Sequence, residues 1–431
     1  MPSLATSGWE DTILIASALA GSPDAFVETL SRHDLELAGR CAAQPDVAQH
    51  ITLDTLKRLR QGLVQRSSDP AADLRARIGA GRALGQLGDP RFLRMRGMEC
   101  DYLVPPMVRI EAAEYRIGED EAYVYLGSEA RGHMPSHSVS LDTYSVSRFP
   151  VTNAEWKCFL NAGGYDDEQW WSDAAALAWR SGEGTANGSR LNTRAWRDAF
   201  MEDPSSLELA RSKGEITDEV FQRWQRIVAM SEDELEAYLQ EQYPRGRKTI
   251  PAFWEDSRFN NPAQPVVGIC WYEARAYARW LSAQSGTTRY RLPTEVEWEA
   301  AARGPSACRY AVGDEYDSWK GNVLRTRVRC TTPVGVFVAS DQPSEIADLM
   351  GNVWEWTSSA WGPDSAAAAF TYPYRADDGR EDQATAANVM RVVRGGSWVS
   401  DEVSARAPAR NKLMPDYRFN SYGMRLVADD G

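Results

Sequence analysis

The chain has 431 residues, 43% hydrophobic and 25% charged, with 61 acidic against 48 basic side chains and a formal net charge of −13. That length suits two domains, and the composition is that of a folded chain. The acidic balance excludes a nucleic-acid backbone or an anionic membrane as the main partner, and no apolar run is long enough to span a bilayer.

Residues 1–100 read as a helical N-terminal region. Ser22 followed by Pro23 is an N-cap with proline in the first turn, leading into Phe26, Val27 and Leu30. Leu56, Leu59 and Leu63 keep a helical stripe, Asp69-Pro70 opens a further helix, and Gly88 stands where a C-cap is expected. The phrase Leu87-Gly88-Asp89-Pro90-Arg91 is similar to the turn of HEAT-type helical repeats. No GxxxxGK[ST] motif occurs, so the chain carries no P-loop of its own. Six scattered cysteines without a CxxC pair are expected to be buried, reduced thiols of a cytoplasmic protein.

From Tyr102 the pattern turns to short strands, expected at 107–110, 122–125, 138–141 and 144–146. A capping box, Thr152 with Glu155, then opens a helix that runs to Gly163. Residues 165–250 are acidic and helical, with a second box at Ser231 and Glu234. They are expected to form an insertion packed on the outside of a domain spanning 101–431. Trp271, Ala274, Ala278 and Leu281 share one helical face. A third box, Thr294 with Glu297, starts a helix that Gly304 ends. Two framework helices, many short strands and long loops give an α+β domain with much irregular chain.

Six phrases occur in a fixed order: Tyr144-Ser145-Val146-Ser147-Arg148-Phe149-Pro150-Val151-Thr152-Asn153, Pro265-Val266-Val267-Gly268, Trp271-Tyr272-Glu273-Ala274, Arg291-Leu292-Pro293-Thr294-Glu295-Val296-Glu297-Trp298-Glu299, Gly351-Asn352-Val353-Trp354-Glu355-Trp356 and Arg394-Gly395-Gly396-Ser397-Trp398. Together they resemble the formylglycine-generating enzyme family, also called the sulfatase-modifying-factor domain. The resemblance implies a variant of the C-type lectin fold over roughly 105–428. The family contains oxidases, iron-dependent sulfoxide synthases and binding proteins, the last including retroelement-diversified variable proteins and domains attached to signalling ATPases. The fold does not choose among them.

The family's oxidases hold Cu(I) through two cysteines just after the Gly-Gly-Ser signature, a soft ion on thiolates. Those places fall at Ser400 and Ala405, and no cysteine follows Cys330, so no copper is expected. The sulfoxide synthases take iron on histidines of an added helical domain. Only His33 and His50 occur in the helical part, and Pro135 interrupts a helical His133–His137 pair, so no iron is expected. The resemblance implies a structural Ca²⁺ at the side chains of Asp348 and Glu355 with the carbonyls of Gly351 and Val353. A second would lie at Asn322 and the carbonyl of Val323.

Within the last segment, Arg406, Arg410 and Arg418 read as framework. Ser400, Asp401, Glu402, Ser404, Asn411, Asp416, Tyr417, Asn420 and Tyr422 are the candidates for an exposed ligand-binding face over 399–422. The resulting expectation is a non-catalytic recognition protein with a protein ligand, fitting a variable protein or conflict sensor, with a signalling partner on the N-terminal helices. A metal-dependent oxidase or sulfoxide-synthase-like enzyme is the alternative.

Overall fold

The computed structural model describes residues 8–125, 128–337, 345–384 and 386–429. Six helices come first: α1 (Glu10–Leu19), α2 (Pro23–Ser31), α3 (Leu35–Ala42), α4 (Pro45–Ala48), α5 (Leu53–Ser68) and α6 (Leu74–Leu87). Ser22 caps α2 as the sequence implies. The last of these helices opens at Asp73, whose carboxylate accepts from the Arg75 N–H; Asp69 instead closes a short turn on Ala71. Leu37, Leu59, Leu63, Ala83 and Leu84 close a separate small core among these helices.

Helix α6 also faces the rest of the molecule. A Cβ on Gly81 would lie 2.6 Å from Pro333, and one on Gly85 would lie 2.7 Å from the Ala263 nitrogen, so only glycine allows this approach. Arg77 donates to the Val336 carbonyl across the same contact.

The strands start earlier than residue 101. A hairpin of β1 (Leu93–Arg96) and β2 (Asp101–Val104) spans the expected boundary, and buried Tyr102 belongs to the large core beyond it. Next come β3 (Met107–Ile110), β4 (Ala113–Ile117), β5 (Tyr123–Tyr125), β6 (Ser128–Ala130), β7 (His137–Leu141) and β8 (Tyr144–Ser147). Helix α7 (Asn153–Asn161) follows its capping box, Thr152 with Glu155.

The insertion supplies α8 (Ala174–Ser181), α9 (Asn187–Glu202), α10 (Pro204–Ser212), α11 (Asp218–Ala229) and α12 (Glu232–Gln242). Then come α13 (Trp271–Ser285), β9 (Tyr290–Arg291), α14 (Glu295–Arg303), β10 (Trp354–Gly362), β11 (Met390–Arg394), β12 (Asn411–Leu413), β13 (Tyr422–Met424) and β14 (Val427–Asp429). One sheet has the order β12-β11-β10-β13, with β10 and β13 parallel; the other has the order β3-β8-β14-β9. This is the α+β arrangement expected, with its long loops.

The main core joins α7, α13 and the first sheet through Trp156, Phe159, Trp271, Tyr277, Trp280, Trp356 and Met424. Trp156 stacks on Tyr277 with centroids 5.0 Å apart. Much of the tryptophan content is therefore core, as loop-rich chain requires. Gly286 and Gly304 end α13 and α14 at positive φ. All six cysteines are free.

A buried ionic cluster locks α14 to the strands. The Glu295 carboxylate accepts from Arg410 at 2.6 and 2.8 Å, from Arg380 at 3.4 Å and from the Tyr372 hydroxyl at 3.2 Å. Glu299 pairs with Arg394 and Arg303. Glu355 pairs with Arg425 at 2.9 Å through both oxygens. In the polar final segment Arg410 ties its loop to α14, Arg418 pairs with Glu273 of α13 and Arg406 pairs with Glu119.

Candidate functional site where the insertion meets the C-terminal segment

Gly395 and Gly396 both have positive φ, 95° and 73°, which turns the chain sharply out of β11. A Cβ on Gly395 would meet the Trp298 ring at 2.8 Å. Trp398 then donates its indole N–H to the Asn420 carbonyl at 3.1 Å, pinning the two ends of 399–422 together.

The segment is more enclosed than its polar composition implies. Ser400, Ser404, Asp416 and Tyr417 are buried; Asp401, Asn411, Asn420 and Tyr422 are half-buried; Glu402 is the single exposed member of the nine. The expectation of one continuous exposed face is therefore corrected. Ser400 Oγ accepts from the Ser397 N–H at 2.9 Å, Asp401 accepts from the Ser404 N–H at 2.8 Å, and Asn411 and Tyr422 sit in strands β12 and β13.

The cause at Asp416 and Tyr417 is the insertion. The Gly188 N–H, in the first turn of α9, donates to the Asp416 carboxylate at 2.8 Å, so the carboxylate lies at the positive end of that helix. Asn192 donates to the Tyr417 hydroxyl at 3.3 Å. Burial pushes the Asp416 carboxyl up to about 6, against the opposing Gly188 N–H.

That shift has a sign that can be tested. A folded value above the ordinary 3.8 means the fold favours the protonated acid, so this group stabilises at low pH and loses that contribution as pH rises through about 6. Asp416→Asn is expected to gain on the parent in urea unfolding as pH rises from about 3.8 to about 6, with the gap constant above that. A gap independent of pH would refute the assignment.

Beside Met414, where the chain leaves β12, α9 and the loop after α12 enclose a cleft of about 350 Å³. Its lining includes Arg190, Leu191, Arg194, Glu236, Arg245 and Met414. Buried Arg190 pairs with Glu236 and donates to Gln240 at 3.1 Å. Arg194 pairs with Glu236 at 2.9 Å and Glu232 at 2.8 Å. Arg245 is exposed at the cleft and has no carboxylate partner among the described residues. Sequence reasoning missed these arginines inside an acidic insertion. Their signal was the spacing of Arg190 and Arg194, four apart and so on one helical face.

At the expected cation sites most of the polar groups have partners within the chain. The Glu355 carboxylate is taken up by Arg425 and by the Trp298 indole N–H at 2.6 Å. Asp348 accepts from the Gly335 N–H at 2.7 Å. The Gly351 carbonyl accepts from the Val353 N–H, and Val353 is buried in the apolar cluster around Phe259. At the second site the Val323 carbonyl accepts from Thr326, and the Asn322 carbonyl from the Asn352 N–H; only Asn322 Oδ1 is left without a partner.

The positions that the resemblance gives for copper carry no thiolate, and the two loop histidines are engaged elsewhere. Ser400 and Ala405 are buried where the thiolates would stand. His133 is bonded to the Glu121 carbonyl, while His137 is bonded to the Pro135 carbonyl and the Tyr374 N–H. Among the described residues no group of three or more His, Cys, Asp or Glu side chains is placed to hold a metal.

The chain matches the family model described as "Sulfatase-modifying factor enzyme 1-like domain" over residues 97–199 and 207–430, and it belongs to that family. It is similar to the hercynine oxygenase of Mycobacterium tuberculosis, 29% identical over 304 residues covering 68% of this chain and 55% of that protein. It thus spans about half the length of that relative. It is also similar to the formylglycine-generating enzyme of the same organism, 27% identical over 76% of this chain and 99% of that protein. The solved structure of PvdO from Pseudomonas aeruginosa is 20% identical, covering 78% of this chain and 98% of that one, with a TM-score of 0.45.

These relatives overturn the expectation of a non-catalytic recognition protein. Proteins named as an oxygenase and as a formylglycine-generating enzyme align across most of this chain, so the enzymatic alternative is the better supported one. The inference from missing cysteines to missing activity failed because it tested one chemistry of a family that carries several. Among the described residues no helix is long and apolar enough to cross a membrane.

Proposed function

We propose that the chain is an oxidative enzyme of this family, with its substrate entering the cleft between α9, α12 and Met414. The observation that carries the reading is the alignment with hercynine oxygenase and formylglycine-generating enzyme over 68% and 76% of the chain. The cleft supports it, because a concave site with an apolar wall and a few converging polar groups is the form small-molecule sites take.

The chain's own part is positioning. Leu191 and Met414 offer an apolar wall, and the guanidiniums of Arg190 and Arg194 are held in place by Glu236. Asp416 fixes the start of α9, so the wall of the cleft is braced from the framework side. Six free cysteines are consistent with a reducing, cytoplasmic setting.

The test is oxygen uptake by the full chain, supplied with ferrous or cuprous ions. Hercynine with a small thiol serves as one substrate pair, and a cysteine-containing peptide as the other. Substrate-dependent uptake that Leu191→Trp abolishes is the expected result. No uptake with either metal and either substrate class would sink the reading.

A further inference from the structure

The cleft has a definite electrostatic character. Three guanidiniums, those of Arg190, Arg194 and Arg245, face one carboxylate, that of Glu236. The chain as a whole carries 61 acids to 48 bases, so this lining runs against the average surface. Arg190 and Arg194 are already held by Glu232, Glu236 and Gln240, which fixes their heads and balances their charge. Arg245 is the cation left for a ligand. Leu191 and Met414 line the same space, so a bound molecule meets carbon as well as charge.

We infer that the cleft binds a small organic monocarboxylate, its carboxylate on Arg245 and its apolar body against Leu191 and Met414. Arginine is suited to a carboxylate, since its planar donors match the two oxygens. Glu232 and Glu236 balance the charges of Arg190 and Arg194, so the lining is left with the single positive charge of Arg245, which one carboxylate neutralises and the second charge of a dianion would exceed. The volume of about 350 Å³ is at the small end of ligand sites, which favours a metabolite-sized molecule over a folded partner. This inference rests on the cleft being the substrate site, yet it is read by binding alone. Its failure is therefore separable from failure of the oxidative reading.

The experiment is isothermal titration of the full chain with 3-phenylpropionate, with its neutral amide, and with inorganic phosphate. The acid is expected to bind and the amide to bind at least about tenfold more weakly, as loss of a charge-assisted contact implies. Phosphate is expected not to compete. Arg245→Glu, at an exposed position, is expected to weaken the acid at least about tenfold. Leu191→Trp, also exposed, is expected to block the acid without touching any charge. Equal binding of acid and amide, phosphate binding as tight as the acid, or an Arg245→Glu protein that binds normally would each overturn the assignment.

Discussion

Glu295→Gln is expected to cost about 3–5 kcal/mol of stability, the range measured when one member of a buried ion pair is removed. Glu295 is fully buried and takes Arg410, Arg380 and the Tyr372 hydroxyl, and Arg394 lies 3.9 Å away. The amide keeps the shape and loses the charge. Arg380 and Arg410 would then have less negative charge beside them in a site that water does not reach. Arg380 retains Asp378 at 2.7 Å, so the loss falls mostly on Arg410. Urea unfolding of the full chain checks the value. A change under about 1 kcal/mol would mean that the arginines find other partners or that water enters.

The second large effect is expected at Trp298. It is 1% exposed, donates to Glu355 at 2.6 Å, and lies under the Arg394 guanidinium at 5.6 Å from its ring centre. Trp298→Ala deletes a large buried ring and is expected to cost about 3–5 kcal/mol or more. Trp298→Phe keeps most of the volume but removes the N–H, leaving Glu355 one donor short, and is expected to cost about 1–3 kcal/mol. The order matters more than the values. If phenylalanine were as damaging as alanine, the hydrogen bond to Glu355 would outweigh the packing.

Much of the framework could be read before the structure was known, because its signals are local. The capping boxes at Thr152, Ser231 and Thr294 start helices as their spacing requires, and the strand-like runs expected at 107–110 and 144–146 are strands Met107–Ile110 and Tyr144–Ser147. The site was read less well. Polar composition over 399–422 implied exposure, but burial depends on what packs against a segment. Gly188 and Asn192, more than two hundred residues before Asp416 and Tyr417, enclose them. Local pattern carries no record of such a contact. Buried arginines such as Arg394 and Arg425 pose the same difficulty, since their acidic partners are distant in the chain. Function was misread for a different reason. Absent copper ligands spoke against one reaction, and that was extended to reactions with other requirements.

Strand β14 pairs on one side with β8 and on the other with β9, so the last described strand lies inside its sheet. The order of synthesis is thereby opposed to the order of assembly. Strands β3 and β8 emerge early and can pair, but β8 and β9 must wait with open edges until residues 427–429 leave the ribosome. Contacts this far apart in the chain form slowly, and unpaired edges invite association in the interval. The nascent chain is therefore a natural client for chaperones until residues 427–429 have emerged, and their arrival sets the moment at which this sheet closes.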